Sequence, residues 1–569
     1  MKNLDRSQPP GKGARSLEEL AAALGLPREA VLPWGGAMGK VDLQVLETLQ
    51  ERQPGKLVLV TAMTPTPFGE GKTVTTIGLS MGFEALGYRS ACTLREPSMG
   101  PLFGVKGGGT GGGKARLVPS RRIDLHFTGD FHAVAMAHNL LAAAVDQALF
   151  RGEVEGLAPE GVTWKRVVDL NDRALRYVEV RPDGRRKGET RSTGFDITAA
   201  SELMAVLALS RDFADLRRRM GRIVVGRDGK GRPVTAEDLG AAGAMAALTR
   251  DALLPNLVQT SEGTPAFVHT GPFANIAHGC SSILADLVAI RCADFVVTEA
   301  GFGAEMGAEK FFHIKCRAGG VRPSAVVLVA SVRALKFHSG RFDVRPGAPL
   351  PPEMLREDLD ALEKGEPNLE KQIANAASFG APLVVAVNRF PTDTDAEVEC
   401  LKEMALSAGA EAAVESRAFQ QGGRGAADLA RACVETLLEE DRRELDFLFP
   451  PGASLRRKVE TLAREFYGAA RVEWSPAALD ELDWLEERGY GGLPVCMAKT
   501  QFSLSHDPAL RGAPRGYVFP VRELRLAAGA GFVLVLAGSI LTMPGLPPRP
   551  AYKDLDLLPD GTIRGLHSG

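Results

Sequence analysis

Residues 57–76 read LVLVTAMTPTPFGEGKTVTT, and this stretch decides the fold. Its apolar start is typical of a buried strand, and from Lys72 a helical pattern, KTVTTIGLSMGFEALG, runs to Gly87. The loop between them matches the phosphate loop G-x-x-x-x-G-K-[ST], except that Thr66 replaces the first glycine. A strand, a glycine loop and a helix in this order predict a site for a nucleotide phosphate.

The loop residues have distinct predicted roles. A helix N-terminus presents unpaired N–H groups and a partial positive charge to an anion. Lys72 is placed to reach the β- and γ-phosphates of ATP, and the Thr73 hydroxyl to ligate Mg²⁺. The alternative is a glycine-rich turn that binds no ligand. The predicted nucleotide-binding residues are Thr66, Pro67, Phe68, Gly69, Glu70, Gly71, Lys72 and Thr73.

Composition excludes several classes of function. The 68 basic and 70 acidic residues give a net charge of −2, which predicts binding to neither nucleic acid nor membrane. The seven cysteines form no C-x-x-C pair, so we expect reduced thiols. The N-terminal stretch is polar, and the apolar run GFVLVLAGSILTM is too short to span a bilayer and is predicted to form a buried strand. We therefore expect a cytoplasmic protein.

Apolar runs alternate with helical patterns along most of the chain, which has 569 residues. This alternation predicts an α/β fold, with a large P-loop-type domain built on a parallel sheet with helices on both faces, plus two smaller α/β domains. The predicted domains are residues 1–350, which bind the nucleotide, 351–474, and a smaller C-terminal domain, 475–569. Predicted strands include RSACTLR, RVVDL, AFVHTG, DFVVTEA, AVVLVAS, PLVVAVNRF and AAVES.

Polar residues follow the next predicted strand at its carboxyl end, where ligands bind in parallel sheets. Arg95 and Glu96 end RSACTLRE, and the arginine fork suits a carboxylate or an acyl phosphate. A local ion pair at the sheet edge is an equally good interpretation. The glycine-rich run 104–113, which includes Lys106, leaves the backbone bare for a large ligand.

Further candidate residues lie in HFTGDFHAVAMAH and after two later strands. Asp130 is predicted to cap a helix first and to position Mg²⁺ or a reacting group second. The spacing of six between His132 and His138 argues against a shared metal. Asn388 ends LVVAVN, where it is predicted to contact a nucleotide base or a flat ring. Phe390 lies two residues later and is predicted either to pack in the core or to stack on a bound ring.

Together these segments resemble formate–tetrahydrofolate ligases, over a length from about residue 40 to the C-terminus. The resemblance implies ATP-dependent ligation of formate to tetrahydrofolate through formyl phosphate. It also explains Thr66, because the phosphate loop of that family has this variant form. The stretches that carry it include TPTPFGEGKT, REPSMGPLFGVKGGGTGGG, LHFTGDFHAVAMAHNLLAA, GPFANIAHGCSS, TEAGFGAEMGAEKFF, AVNRFPTDT and LPVCMAKTQFSLSHDP.

The resemblance also assigns roles to single residues. Arg95 matches the arginine that holds formate and then formyl phosphate, and Glu96 lies beside it to orient it or a cation. Lys72, Arg95, Glu96 and Asp130 are thus the predicted catalytic residues. Phe390 matches one of the aromatic residues that sandwich the pterin ring. The family further implies stimulation by K⁺ or NH₄⁺ and a homotetramer.

Three positions depart from the family pattern. Phe419 stands where tryptophan is typical, and it is predicted as the second pterin-stacking residue. Trp34 replaces a tyrosine, and Met38 replaces a lysine, which leaves Lys40. Two alternatives therefore stay open beside the ligase. One is a P-loop ATPase switch that drives partner binding, and the other is a degenerate ligase that binds folate or nucleotide without turnover.

Overall fold

A computed structural model describes residues 13–104, 109–184, 190–274, 276–344, 349–439, 445–538 and 540–566. One large twisted sheet organises the chain as far as residue 416. Its strands are β1 (Val31–Pro33), β2 (Gly39–Val41), β3 (Lys56–Ala62), β4 (Ser90–Leu94), β5 (Gly111–Gly112), β6 (Ala115–Val118), β7 (Asn256–Thr260), β8 (Pro265–Val268), β9 (Phe295–Glu299), β10 (Ala325–Ala330), β11 (Leu383–Asn388) and β12 (Ala412–Ser416).

Seven of these strands are parallel, in the order β8-β4-β9-β3-β10-β11-β12. The predicted parallel sheet is confirmed in this part. Beyond β8 the sheet changes direction, because β7 pairs antiparallel with β8, β2 and β6. The sheet is therefore parallel at its centre and antiparallel at one edge.

Helices cover both faces of the sheet, as the sequence predicts. Along β3, Leu57 and Leu59 pack in one hydrophobic core while Val58 and Val60 pack in another on the opposite face. The period of two thus places successive side chains on alternate faces. Helix α1 (Lys72–Ala85) covers the second face through Ile77, Leu79 and Phe83. The first face is covered by helices α3 (Val332–His338) and α4 (Leu359–Ala377).

The remaining elements form smaller units around the sheet. The insertion between β6 and β7 contains the long helix α2 (Asp130–Arg151). The other helices of seven or more residues are Leu17–Ala23, Glu202–Leu209, Phe213–Gly221, Ala242–Leu248, Ile283–Cys292, Asp395–Ser407, Ala427–Glu439, Leu455–Thr461 and Pro476–Glu487. Shorter helices include Val45–Leu49, Met99–Gly104, Ser120–Leu125, Ala418–Gln421 and the π-helical segments Ala304–Ala308, Phe311–Cys316 and Leu462–Phe466.

Small sheets complete the insertion and the C-terminal part. The insertion holds Leu157–Val162, Val224–Asp228 and Pro233–Thr235, and the pairs Arg166–Val168 with Phe195–Ile197 and Val178–Val180 with Arg191–Thr193. The C-terminal part holds Val495–Ala498, Glu523–Ala527 and Phe532–Leu536, and the pairs Arg471–Trp474 with Val518–Val521 and Asp556–Leu557 with Ile563–Arg564.

Three sequence expectations bear on this architecture. β11 and β12, which follow the boundary predicted near residue 350, continue the large sheet; the three predicted domains stay a prediction. The segment Ser120–Arg151 is long and apolar enough to count as a candidate membrane span. Within it, Val134, Leu141 and Val145 of α2 are fully buried in a protein core. All seven cysteines are free thiols, as expected.

The contact between α3 and α4 depends on one glycine. A Cβ built on Gly365 would lie 2.1 Å from the backbone oxygen of Leu335. Alanine favours a helix over glycine by about 1 kcal/mol, but the backbone contact cannot relax as a flexible side chain would. We therefore expect Gly365→Ala to lower the midpoint of thermal unfolding by several degrees. Gly452→Ala, where a Cβ meets nothing within 4 Å, should leave it unchanged. An unchanged Gly365→Ala midpoint would contradict this packing.

Candidate functional site

The strand order brings the phosphate loop and Arg95 to one edge of the sheet. The loop follows β3 and Arg95 follows β4, with β9 between them. Adjacent strands lie about 4.8 Å apart, so the two strand ends are separated by roughly 10 Å. Glu299, the last residue of β9, lies in this gap.

The phosphate loop has the geometry of an anion cradle. Gly71 adopts φ 82° and Gly69 adopts φ 78°, left-handed conformations that favour glycine. Gly71 is the N-cap of α1, and no side chain caps the helix there. The first-turn N–H groups therefore point to the loop without a capping side chain. The backbone N–H of Thr66 donates to Glu70 Oε1 at 2.5 Å and closes the loop.

Two side chains of the first helical turn point toward Glu299 and Arg95. Thr73 Oγ1 donates to Glu299 Oε2 at 2.9 Å. Burial lowers the pKa of Lys72, and the Arg95 charge lowers it further, while Glu70, Glu299 and Glu305 oppose this shift. Lys72 and Arg95 are thus close enough to interact electrostatically. The structure thus brings the loop and the arginine to one edge of the sheet, and their role in a common site stays a prediction.

One guanidinium nitrogen of Arg95 has a hydrogen-bond partner, and another has none among the described residues. Its Nη1 donates to the carbonyl oxygen of Pro272 at 3.1 Å, whereas its buried Nε has no hydrogen-bond partner among the described residues. A Cβ on Gly301 would lie 3.2 Å from that Nη1. The neighbouring Thr270 and Phe302 adopt φ 55° and φ 62°, conformations rare outside glycine. Such strain clusters at ligand sites, and the free Nε–H is a donor for an anion.

Glu96 and Asp130 form a buried acidic pair beside Arg95. Asp130 accepts hydrogen bonds from Lys40 Nζ and from Asn256 Nδ2, both at 2.8 Å. The Oε2 atom of Glu96 is buried without a partner among the described residues. Burial, reinforced by Asp130, raises the pKa of Glu96 well above its ordinary value, and Lys40 opposes this rise. The predicted helix cap at Asp130 is wrong, because Gly129 is the N-cap and Lys40 takes the carboxylate instead.

The residues predicted to contact a nucleotide base or a flat ring lie on the side of the phosphate loop opposite Arg95. Asn388 Nδ2 donates to the carbonyl oxygen of Glu70 at 2.9 Å, so this side chain supports the loop backbone. Phe390 is half-buried, and the Arg333 guanidinium lies 4.0 Å from its ring centroid. Phe419 is 43% exposed. The side-chain amide of Gln420 donates to the carbonyl oxygen of Arg389 and joins the two aromatic segments.

Phe419 is also tied to the helix that follows the phosphate loop. Cβ atoms built on Gly78 and Gly82 of α1 would lie 2.3 Å from the Ala418 Cβ and 2.7 Å from the Ala426 carbonyl oxygen. These two glycines allow the segment around Phe419 to lie directly on α1. The aromatic segment is therefore seated on the same helix whose N-terminus forms the cradle.

Other sequence candidates are only partly described or lie elsewhere. Lys106 and most of the first half of the glycine-rich run fall outside the described residues, while Gly111 and Gly112 form β5. His138 is buried, stacks on Trp164 at 4.1 Å and contacts Ser201, and no metal-ligand group was found among the described residues. A cavity of about 660 Å³ near His138 is lined by none of the predicted site residues.

Three residues at the site received no role from the sequence. Glu299 ends β9, but chain order does not reveal that β9 lies between β3 and β4. Lys40 and Asn256 bind Asp130 from 90 and 126 residues away along the chain. A strand ending in an acidic residue was the available signal for Glu299. No local pattern indicates the other two contacts.

Comparison with known proteins gives a consistent family assignment. The pattern of the family described as formate–tetrahydrofolate ligase matches residues 10–567. A formate–tetrahydrofolate ligase of Roseiflexus sp. is 54% identical over 552 residues, which cover 97% of this chain and 98% of the relative. Formate–tetrahydrofolate ligase 2 of Rubrobacter xylanophilus is 51% identical over 565 residues, with 98% of each chain covered. The ligase of Saccharopolyspora erythraea is 53% identical over 552 residues, with 97% of each chain covered.

The cradle makes a direct prediction for Gly71. In Gly71→Ala, the new Cβ would strain a φ of 82° and lie 2.3 Å from Asn388 Nδ2. We expect at least a tenfold loss of ATP affinity, measured by calorimetry, because the loop backbone must move. Gly87→Ala is the matched control, since Gly87 has φ 91° beyond the other end of α1 and its Cβ meets nothing within 4 Å. Equal ATP affinity in Gly71→Ala and Gly87→Ala would contradict the assignment of the cradle.

Proposed function

The chain belongs to the formate–tetrahydrofolate ligase family, and on this premise we propose that it joins formate to tetrahydrofolate in an ATP-dependent reaction. One observation carries the proposal beyond family membership. A phosphate cradle and an arginine with a free Nε–H meet at one sheet edge, with one strand between them. This arrangement suits a reaction in which a phosphoryl group passes from a nucleotide to a small carboxylic acid.

The chemistry explains why both groups are needed. Formate is a poor electrophile because its carboxylate is charged and stabilised by resonance. A formate oxygen attacks the γ-phosphorus of ATP, the bond to the β–γ bridging oxygen breaks, and ADP and formyl phosphate form. The N10 amine of tetrahydrofolate then attacks the formyl carbon and expels phosphate. The amine proton leaves to solvent, and the product is 10-formyltetrahydrofolate.

The residues of the site have different roles in this reaction. Lys72 and the first-turn N–H groups of α1 hold the phosphates and neutralise charge that develops during transfer. Arg95, fixed at one end by the Pro272 carbonyl, holds formate in line with the γ-phosphorus and then holds formyl phosphate. Positioning and charge neutralisation are the main requirements of phosphoryl transfer, and this site supplies both.

Cation binding is part of the proposal. The Thr73 hydroxyl and the Glu299 carboxylate offer hard oxygen ligands of the kind that Mg²⁺ prefers, and they already lie within 2.9 Å of each other. These two side chains would hold Mg²⁺, which would supply positive charge beside the β- and γ-phosphates. A monovalent cation, K⁺ or NH₄⁺, fits the acidic pair of Glu96 and Asp130, where Glu96 Oε2 lacks a partner among the described residues.

For the folate we propose a site between Phe390 and Phe419. Arg333 covers one face of the Phe390 ring, so a pterin ring stacks on its other face. Phe419 supplies an exposed ring on the segment that Gln420 joins to Arg389. A cytoplasmic homotetramer completes the proposal, on the resemblance to the family.

Substrate dependence of ADP release tests the proposal against an ATPase switch. A ligase releases ADP in proportion to 10-formyltetrahydrofolate, and only when formate and tetrahydrofolate are both supplied. Steady ADP release that neither substrate changes would favour a switch that drives partner binding. ATP binding without turnover under any of these conditions would indicate a degenerate ligase.

Two substitutions separate the roles in the site. We expect Lys72→Ala to abolish turnover with the fold intact, because the phosphates lose their cation. Arg95→Ser should retain ATP affinity within about threefold and lose formate-dependent turnover by at least about a hundredfold, as expected for removal of a transition-state donor. ATP affinity is measured by calorimetry and folding by circular dichroism. Normal formate turnover in Arg95→Ser would contradict the role given to Arg95.

A further inference from the structure

A buried polar network holds Thr64, which lies between β3 and the phosphate loop. Its backbone N–H donates to Asn368 Oδ1 at 3.2 Å, and its carbonyl oxygen accepts from His338 Nε2 at 2.9 Å. Its Oγ1 accepts from Asn368 Nδ2 and from Gln372 Nε2, both at 2.8 Å. Backbone and side chain of Thr64 are therefore both fixed by α3 and α4.

Glu305 extends this network away from the loop. Its Oε2 accepts from Gln372 Nε2 at 2.7 Å, and its own backbone N–H donates to Gln372 Oε1 at 3.2 Å. The Gln372 amide therefore bridges Glu305 and Thr64. The side chain of Glu305 is fully buried, and its charge also acts on Lys72. A buried carboxylate in this position requires a compensating charge.

The compensating charge comes from the C-terminal part of the chain. Lys499 follows the strand Val495–Ala498, and its fully buried Nζ lies 3.3 Å from Glu305 Oε1. The same ammonium donates to the carbonyl oxygens of Ser503 at 2.6 Å and Thr500 at 3.1 Å. Lys499 is thereby fixed in its own segment and paired with a carboxylate that belongs to the site.

We propose that Lys499 is a positioning residue for the phosphate loop, acting through Glu305 and Gln372 on Thr64. This inference rests on the proposed ATP-dependent function, in which the loop holds the nucleotide. Without the ammonium, Glu305 is left as an uncompensated buried charge and must become protonated or move. Either change disturbs the Gln372 amide, which then no longer holds Thr64 in place. The C-terminal segment thus sets the nucleotide affinity without touching the nucleotide.

Direct ATP binding to four full-length variants tests the proposal. We expect Lys499→Met to weaken ATP binding about tenfold, within the range that coupled buried pairs show. Glu305→Gln alone should weaken it less, because the amide still accepts from Gln372. The double variant Lys499→Met/Glu305→Gln has no uncompensated charge, so it should recover to within about threefold of the natural protein.

Lys458→Met is the matched control. Lys458 is also buried in the C-terminal part, and it donates to the carbonyl oxygens of Gly491, Gly492 and Leu493. Burial is the largest cause that lowers the pKa of both lysines to about 8, so both substitutions remove a desolvated ammonium. Lys458→Met removes a buried ammonium that is not linked to the loop. It should lower thermal stability but leave ATP affinity unchanged.

The outcomes separate the inference from the proposed function. Equal ATP affinity in Lys499→Met and Lys458→Met would overturn the inference, and so would a double variant no better than Lys499→Met. If Lys499→Met fails to fold, Glu305→Gln still decides, since a pure stability role predicts normal ATP affinity in that variant, whereas the proposal predicts weaker binding. ATP binding is measured without formate or folate. The test of Lys499 therefore gives a result even if the natural protein makes no 10-formyltetrahydrofolate.

Discussion

The hydrogen bond from Thr73 to Glu299 joins the two halves of the site. Thr73 belongs to the helix that carries the cradle, and Glu299 ends the strand that separates the cradle from Arg95. Strand spacing sets the width of the gap, and this bond ties the first turn of α1 to the end of β9. The remaining site residues are arranged around that gap. A different strand between β3 and β4 would leave the same residues without a common ligand.

Burial of charge at the sheet edge constrains the neighbouring residues. Lys40 compensates Asp130, Lys499 compensates Glu305, and the carboxylates around the loop oppose the effect of burial on Lys72. Each carboxylate that lost its cation would become an uncompensated buried charge. The site therefore recruits cations from distant parts of the chain, from Lys40 near the N-terminus to Lys499 in the C-terminal part. Arg95 differs, because its buried Nε has no hydrogen-bond partner among the described residues.

Much of the fold can be predicted from local sequence patterns, whereas the side-chain contacts within the site cannot. The continuous apolar run in residues 57–60 predicts a buried strand, and Gly87 marks the end of α1 with φ 91°. The cap at Asp130 was predicted wrongly, since the sequence does not show that Lys40 competes for its carboxylate. Gln372 reaches Thr64 across 308 positions of the chain. Contacts of that kind depend on strand order, which single-sequence periodicity does not contain.

The two glycines on the flank of α1 have a mechanical consequence. The helix begins in the cradle, and Gly78 and Gly82 let the segment that bears Phe419 rest on its side without intervening side chains. Because α1 is a continuous helix packed this closely, its N-terminus cannot move without also moving the face that bears Gly78 and Gly82. If a nucleotide at the proposed cradle tilted α1, the close packing would pass that tilt to the aromatic segment, and a ring bound there would affect nucleotide affinity by the same coupling free energy.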